Sequence, residues 1–325
     1  MINVGVIGIG HLGSIHLKLL SESKTFKVIG CFDKNKDLKT KFSSEFSLYD
    51  NVSELIIKCD ALFICSNTPS HFEMVKMCLE NKKHVFVEKP ITTTLEEALE
   101  LVKIAEKHNL IGQVGHVERF NPAIKSVLHM IEEPKFIECH RLAEFNPRGN
   151  DVSVVLDLMI HDIDIVLKVI NSNIKNVSAN GVSVISDSPD ITNARVEFEN
   201  GAVANFTASR ISLKNMRKTR LFQNNAYISI DFLDKKSEIV KITDFEEKKD
   251  NYAMVIENSK GDKKQIYYSN PKSKSVNSII EEHNDFAKSI INKTSPQVSF
   301  KDGYKALELA IEIIKKVNGN SWKFN

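Results

Sequence analysis

The sequence predicts an α/β protein in two parts: an N-terminal doubly wound parallel sheet, then an α+β domain with a mainly antiparallel open sheet. Three observations predict this. Over the first 115 residues, short apolar runs alternate with amphipathic segments of helical period, the pattern of βαβ units. After Arg119 the rhythm changes to a succession of β-rich pieces. A length of 325 residues, 42% hydrophobic and 26% charged, suits two soluble domains, placed at 1–118 and 119–325.

The strands of the first part read as INVGVI, FKVIGCF, ALFIC, HVFVE and LIGQVG. HLGSIHLKLL and SHFEMVKMCLE between them have the length of crossover helices. TTTLEEALELVKIAEKH adds another, with a threonine cap and an acidic first turn. From about residue 134 come KFIECHRLAEF, NVSANGVSVI, ARVEFENGAVANFTAS, TRLFQNNAYISIDFL, SEIVKIT, AMVIEN and KQIYYSN, with Asn200-Gly201 as a two-residue hairpin turn. An antiparallel sheet commonly buries one face, so this part should offer a broad surface to a ligand or to another copy of the chain. YKALELAIEIIKKV is expected to close the chain as an amphipathic helix, with Gly319 just beyond it.

Lys+Arg (44) and Asp+Glu (42) nearly balance, so the net charge of +2 gives no broad field for nucleic acid or an anionic membrane. No stretch approaches the roughly 20 apolar residues of a membrane span, and no basic region and apolar core mark a signal peptide, so a cytoplasmic location is expected. Cys31, Cys59, Cys65, Cys78 and Cys139 are scattered and odd in number. They read as buried free thiols, and no metal site is expected.

In VGVIGIGHLG, Gly8, Gly10 and Gly13 have the G-x-G-x-x-G spacing directly after a strand, with His11 and Leu12 opening the helix. Gly8 permits the tight turn, Gly10 lets backbone amides approach a pyrophosphate, and Gly13 allows close packing of helix on strand. Asp33 ends the second strand twenty residues beyond Gly13, where a carboxylate holds a ribose 2'-hydroxyl. Together these predict a Rossmann dinucleotide site. A carboxylate at Asp33 repels a 2'-phosphate, favouring NAD over NADP, although Lys34 and Lys36 are cations that accommodate one. At the carboxyl ends of later strands, CSNTPSH supplies Ser66, Asn67, Thr68 and His71 to the cofactor, and VEKP supplies Glu88, Lys89 and Pro90. Lys89 is either a solvated surface charge or, beside a nicotinamide, a group that polarises a reacting oxygen. Pro90 restricts the backbone before it and so aims the side chain.

VVLDLMIHDIDIVL sets ionisable groups in an apolar run. At about 100° per residue, Ser153, Asp157, His161, Asp164 and Lys168 form one stripe, with Asp162 off it and apolar residues covering the rest. The stripe is either the wet face of an amphipathic helix or a polar seam facing a cleft.

GIGHLG, the E-K-P of Glu88-Lys89-Pro90, the ERFNP after LIGQVG, and the D-x-x-x-H-x-x-D of Asp157, His161 and Asp164 together resemble the Gfo/Idh/MocA oxidoreductases over nearly the whole chain. By that resemblance Lys89, Asp157 and His161 are catalytic residues at the nicotinamide, and the seam faces a cleft. GHVERFNPA, EFNPRG and the aspartate helix resemble the branch that oxidises UDP-N-acetylglucosamine at C3, for an aminotransferase that makes the 2,3-diamino sugar of lipid A. The GGG that often precedes this helix in the wider family is replaced by GNDVSVV.

Oxidising a secondary alcohol needs a base for the hydroxyl proton while hydride leaves the same carbon. His161 is the first choice of base, oriented by Asp157, with Lys89 supporting the alkoxide and Asp164 behind them; the division between Lys89 and His161 stays open. Arg119, Asn121 and Arg148 are candidates for the substrate's anionic groups, or else for structural ion pairs and hydrogen bonds. His116 has the same two readings. The implied substrate is a nucleotide sugar and the implied assembly a homodimer or homotetramer. The rival readings are an inositol or free-sugar dehydrogenase and an NAD-binding regulator without turnover.

Overall fold

The computed structural model describes residues 1–325 except 36, 39–41, 43, 147–151, 247–253, 274, 320 and 324–325. The chain divides into two compact units, Met1–Arg119 with Asn277–Glu308, and Phe120–Val276 with Leu309–Asn325.

The first unit is built on β1 (Ile2–Ile7), β2 (Phe26–Phe32), β3 (Ala61–Ile64), β4 (His84–Glu88) and β5 (Gly112–Gly115). They form one parallel sheet in the order β2-β1-β3-β4-β5. Strands β3 and β4 are buried almost throughout, as expected where helices cover both faces of a sheet. The helix Leu95–Lys107 starts at a capping box: Glu97 N–H donates to Thr94 Oγ1 at 3.3 Å, and Thr94 N–H donates to Glu97 Oε2 at 3.0 Å. The Lys89–Pro90 peptide is cis.

The segment Asn277–Glu308, which the sequence reading assigns to the second domain, groups instead with the first unit. Its helix Ser278–Asn292 has an apolar face, and Phe286 and Ala287 join the core formed by Val4, Val6, Phe63 and Phe86. The Phe286 ring stands edge-on to Phe63 with centroids 5.6 Å apart, and buried Gln113 of β5 donates to the Glu282 carbonyl at 2.9 Å.

The second unit holds ten strands among the described residues: β6 (Phe136–Leu142), β7 (Ile174–Ser183), β8 (Ile191–Phe198), β9 (Val203–Ser209), β10 (Met216–Gln223), β11 (Ala226–Asp231), β12 (Lys236–Asp244), β13 (Met254–Glu257), β14 (Lys263–Ser269) and β15 (Ser321–Lys323). Their order is β13-β14-β12-β11-β10-β6-β9-β8-β7-β15, antiparallel except for β6–β9 and β7–β15. Burial alternates along β8 and β6, the mark of a sheet with one face packed. Gly201 turns the β8–β9 hairpin with φ +80°.

Two helices differ from expectation. The last runs Phe300–Gly319, so it starts before Tyr304, includes Gly319 and is followed by β15. Ser299 and Asp302 cap its start reciprocally, Asp302 N–H donating to Ser299 Oγ and Ser299 N–H to Asp302 Oδ2. The aspartate helix is not uniform: Val155–Met159 is a π-turn, continued by an α-helix over Ile160–Val169. A stripe drawn at 100° per residue therefore does not hold through Asp157, because the π-turn winds by i→i+5.

Candidate functional site

The glycine loop has the geometry of a phosphate cradle. Gly8 sits at φ +86°, and a Cβ there would lie 2.5 Å from Ser66 N. A Cβ on Gly13 would lie 1.9 Å from the Gly8 carbonyl oxygen, so the helix His11–Ser21 packs against the loop backbone itself. Where Gly10 would carry a Cβ, nothing stands within 4 Å. That open space at a helix N-terminus, with His11 and Leu12 exposed beside it, is what a pyrophosphate requires.

Asp33 is tied to this loop. Its Oδ2 accepts from Ile9 N–H and its Oδ1 from Asn35 N–H, each at 2.8 Å. A cavity of about 200 Å³ brings together Gly8, Gly10, Asp33, Lys34, Ser66 and Asn67. Ser70 and Met74 line it as well and were not singled out from sequence; Ser70 donates to Ser66 Oγ at 2.7 Å. Open space over Gly10 and a carboxylate beside the loop fit a dinucleotide.

His71 plays a different part from the one expected. It is buried, with Nδ1 2.9 Å from the Pro90 carbonyl and Nε2 2.9 Å from that of Ser66, so it braces the loop after β3 against the loop carrying Lys89. Burial lowers its proton affinity, offset in part by the two carbonyls and by the Glu88 charge. Thr68 is half-buried in a short 3-10 turn, and Lys89 is half-buried after β4.

Glu88 is buried and occupied on both oxygens: Oε1 lies 2.8 Å from His16 Nε2, and Oε2 accepts from Lys89 N–H at 3.2 Å. Burial pushes its carboxyl up, but the hydrogen bond and charge of His16, followed by the Lys89 charge, outweigh that and hold it below the ordinary range. His16 continues to His283, its Nδ1 2.7 Å from His283 Nε2. Burial, then the Glu88 charge, pushes the neighbouring Glu282 carboxyl well above the ordinary range. Sequence reasoning missed His16, Glu282 and His283. The available signal was that each sits on the apolar face of an amphipathic helix.

In the second unit, Asp157 is exposed, His161 half-buried, Asp164 buried and Lys168 exposed. Asp162, which lies off the predicted stripe, is held at both oxygens: Arg141 Nε donates to its Oδ2 at 3.0 Å and Arg141 Nη2 to its Oδ1 at 2.8 Å, both side chains being buried. Arg141 takes an inward position on β6 in register with Ile137 and Cys139, so its charge needs a buried partner. This bidentate pair fixes the His161 helix to β6.

The expected substrate contacts turn inward. Arg119 is buried, donating through Nη1 to the Gln297 carbonyl at 3.1 Å, with Nη2 3.7 Å from Asp302. Asn121 is buried, caps the helix Pro122–Val127 by accepting from Ala123 N–H, and donates to the Phe232 carbonyl. His116 is fully buried. The polar atoms of Arg119 and Asn121 are engaged inside the protein, which favours the structural reading of those two. Arg148 lies outside the described residues.

Residues 2–116 match GFO_IDH_MocA, an oxidoreductase family with an NAD-binding Rossmann fold, and residues 133–228 match the GFO/IDH/MocA C-terminal domain. The chain is 34% identical over 233 residues to UDP-N-acetylglucosamine 3-dehydrogenase of Acidithiobacillus ferrooxidans, covering 71% of this chain and 74% of that protein. Over 328 residues it is 26% identical to myo-inositol 2-dehydrogenase of Thermotoga maritima, covering 94% and 93%. A solved structure of the Acidithiobacillus enzyme superposes with a TM-score of 0.87 at 28% identity, covering 98% of each chain.

Proposed function

Because the chain belongs to the GFO/IDH/MocA oxidoreductase family, we propose that it oxidises the C3 hydroxyl of UDP-N-acetylglucosamine to a ketone with NAD. The observation that supports the substrate is the 34% identity, over 71% of this chain, to an enzyme named for that reaction. NAD supplies the hydride acceptor. Asp33 favours NAD over NADP, its carboxylate being held beside the glycine loop where a 2'-phosphate would meet its charge.

In this reading His161 takes the hydroxyl proton, Asp157 orients the imidazole, and Lys89 stabilises the developing alkoxide. The π-turn supports it, since such turns frequently mark functional sites and this one carries Asp157 and ends just before His161. Glu88 and His71 hold the loop that carries Lys89, and Arg141 with Asp162 holds the helix that carries His161. The ketone product is the substrate class of an aminotransferase acting next, and the enzyme works as a cytoplasmic homodimer or homotetramer.

The test is NADH formation with UDP-N-acetylglucosamine, free N-acetylglucosamine and myo-inositol, each at about 1 mM, the upper range of ordinary KM values. UDP-N-acetylglucosamine should be oxidised fastest. Turnover of inositol without turnover of the nucleotide sugar would replace this substrate by the polyol reading.

A further inference from the structure

Four ionisable side chains meet in the interior of the first unit, none of them lining the nucleotide cavity. His16 comes from the helix that opens at the glycine loop, Glu88 from the end of β4, and Glu282 and His283 from the helix Ser278–Asn292. One ligand atom from each of His16, Glu282 and His283 lies within 4.8 Å of the others.

Glu282 is the group the protein leaves unexplained. It is fully buried, and neither carboxylate oxygen has a hydrogen-bond partner among the described residues. As a carboxylate it is an uncompensated charge; as a carboxylic acid it carries an O–H with no acceptor. A buried polar group of that kind calls for an ion or a water as its partner. The surroundings favour an ion. Glu88 accepts at His16 Nε2, which leaves His16 Nδ1 turned toward His283 Nε2 and Glu282, the arrangement in which a carboxylate orients a metal-binding imidazole from behind.

We propose that His16, Glu282 and His283 form a buried site for a divalent cation of the zinc class, with Glu88 orienting His16. Two imidazoles select zinc, cobalt or nickel over magnesium or calcium. The cation takes the place of the direct His16–His283 hydrogen bond, and the two nitrogens part from 2.7 Å to the roughly 3.3 Å set by tetrahedral Zn–N bonds of about 2.0–2.1 Å. It fastens the returning helix to the glycine-loop helix. The expectation of no metal site rested on cysteine spacing, whereas these ligands come from opposite ends of the chain. Enclosure on all sides means that the cation enters as the chain folds.

The full-length protein, unfolded and refolded with Zn²⁺ or with EDTA, tests this independently of any substrate. After gel filtration the zinc-refolded protein should hold one equivalent by elemental analysis and unfold at a higher temperature than the EDTA-refolded protein. Refolding with Co²⁺ should give the visible absorption of a tetrahedral centre. Glu282→Gln and His283→Phe should lose the bound equivalent. Substoichiometric zinc and identical unfolding temperatures in the wild-type protein would overturn the proposal and leave protons or a water as the partner of Glu282. Full retention of metal by Glu282→Gln would overturn it equally, placing the metal elsewhere.

Discussion

Asp33 Oδ2 accepts the backbone N–H of Ile9 at 2.8 Å, so the carboxylate expected to face the ribose also fixes the loop expected to hold the pyrophosphate. Replacing Asp33 by alanine should weaken NAD on both counts. Loss of a hydrogen bond to a charged group is worth about 1.5–3 kcal/mol, or roughly ten- to a hundredfold in Kd. NADP should lose less or gain, because the like charge opposing its phosphate is gone. Calorimetric titration with both cofactors checks this; an unchanged NAD-to-NADP preference would show that selectivity lies elsewhere.

Arg141 and Asp162 should matter to stability far more than their chemistry suggests. Removing one partner leaves a buried charge, at a cost of about 3–5 kcal/mol, so Asp162→Ala should lower the denaturant midpoint sharply. Replacing both by well-packed apolar residues should recover most of the loss. Equilibrium unfolding of the single and double variants reads both outcomes.

His71 gives the protein a sensitivity to acid. Its folded-state pKa lies below the ordinary 6.5, chiefly because burial disfavours the imidazolium, with Glu88 and the two carbonyls opposing. The unfolded chain therefore takes up the proton first as pH falls. The stability His71 contributes is fully present above pH 6.5 and is lost as pH falls through that value toward the lowered one. Between about pH 7 and pH 5 the unfolding temperature of the wild-type protein should fall more steeply than that of His71→Gln. Parallel curves would show that other groups set the acid limit.

His161→Asn should preserve the fold, since a polar group replaces a half-buried polar group. It should lower kcat by about 10²–10⁴ with NAD affinity nearly unchanged, the range of a lost general base. Lys89→Ala should do comparable damage, and the double variant less than the product of the two, because both residues act on one transition state. Near-normal kcat in His161→Asn would transfer the base to Lys89.

Much of the nucleotide half was legible because its signals are local. Strand, glycine turn and Asp33 lie within the first 33 residues, and Thr94 announces its helix by a capping box. What was not legible depends on partners distant in sequence. Arg141 alternates correctly on β6, yet only the fold brings it to Asp162. Ser278–Asn292 is amphipathic, but nothing in its pattern says that its apolar face meets Phe63 and Phe86. The π-turn at Val155–Met159 obeys no apolar period, so a wheel drawn at the α-helical angle misplaces Asp157 relative to His161. Arg119 and Asn121 are loop residues by sequence and interior residues by structure, because carbonyls of Gln297 and Phe232 lie within their reach.

The central claim, hydride transfer from C3 of a nucleotide sugar to NAD, is tested most directly by following the hydrogen itself. UDP-N-acetylglucosamine deuterated at C3 should give NADH that carries the deuterium by mass spectrometry, together with a slower single-turnover rate than the unlabelled sugar. Unlabelled NADH formed from that substrate, or label delivered only when the deuterium is at another ring carbon, would contradict the account.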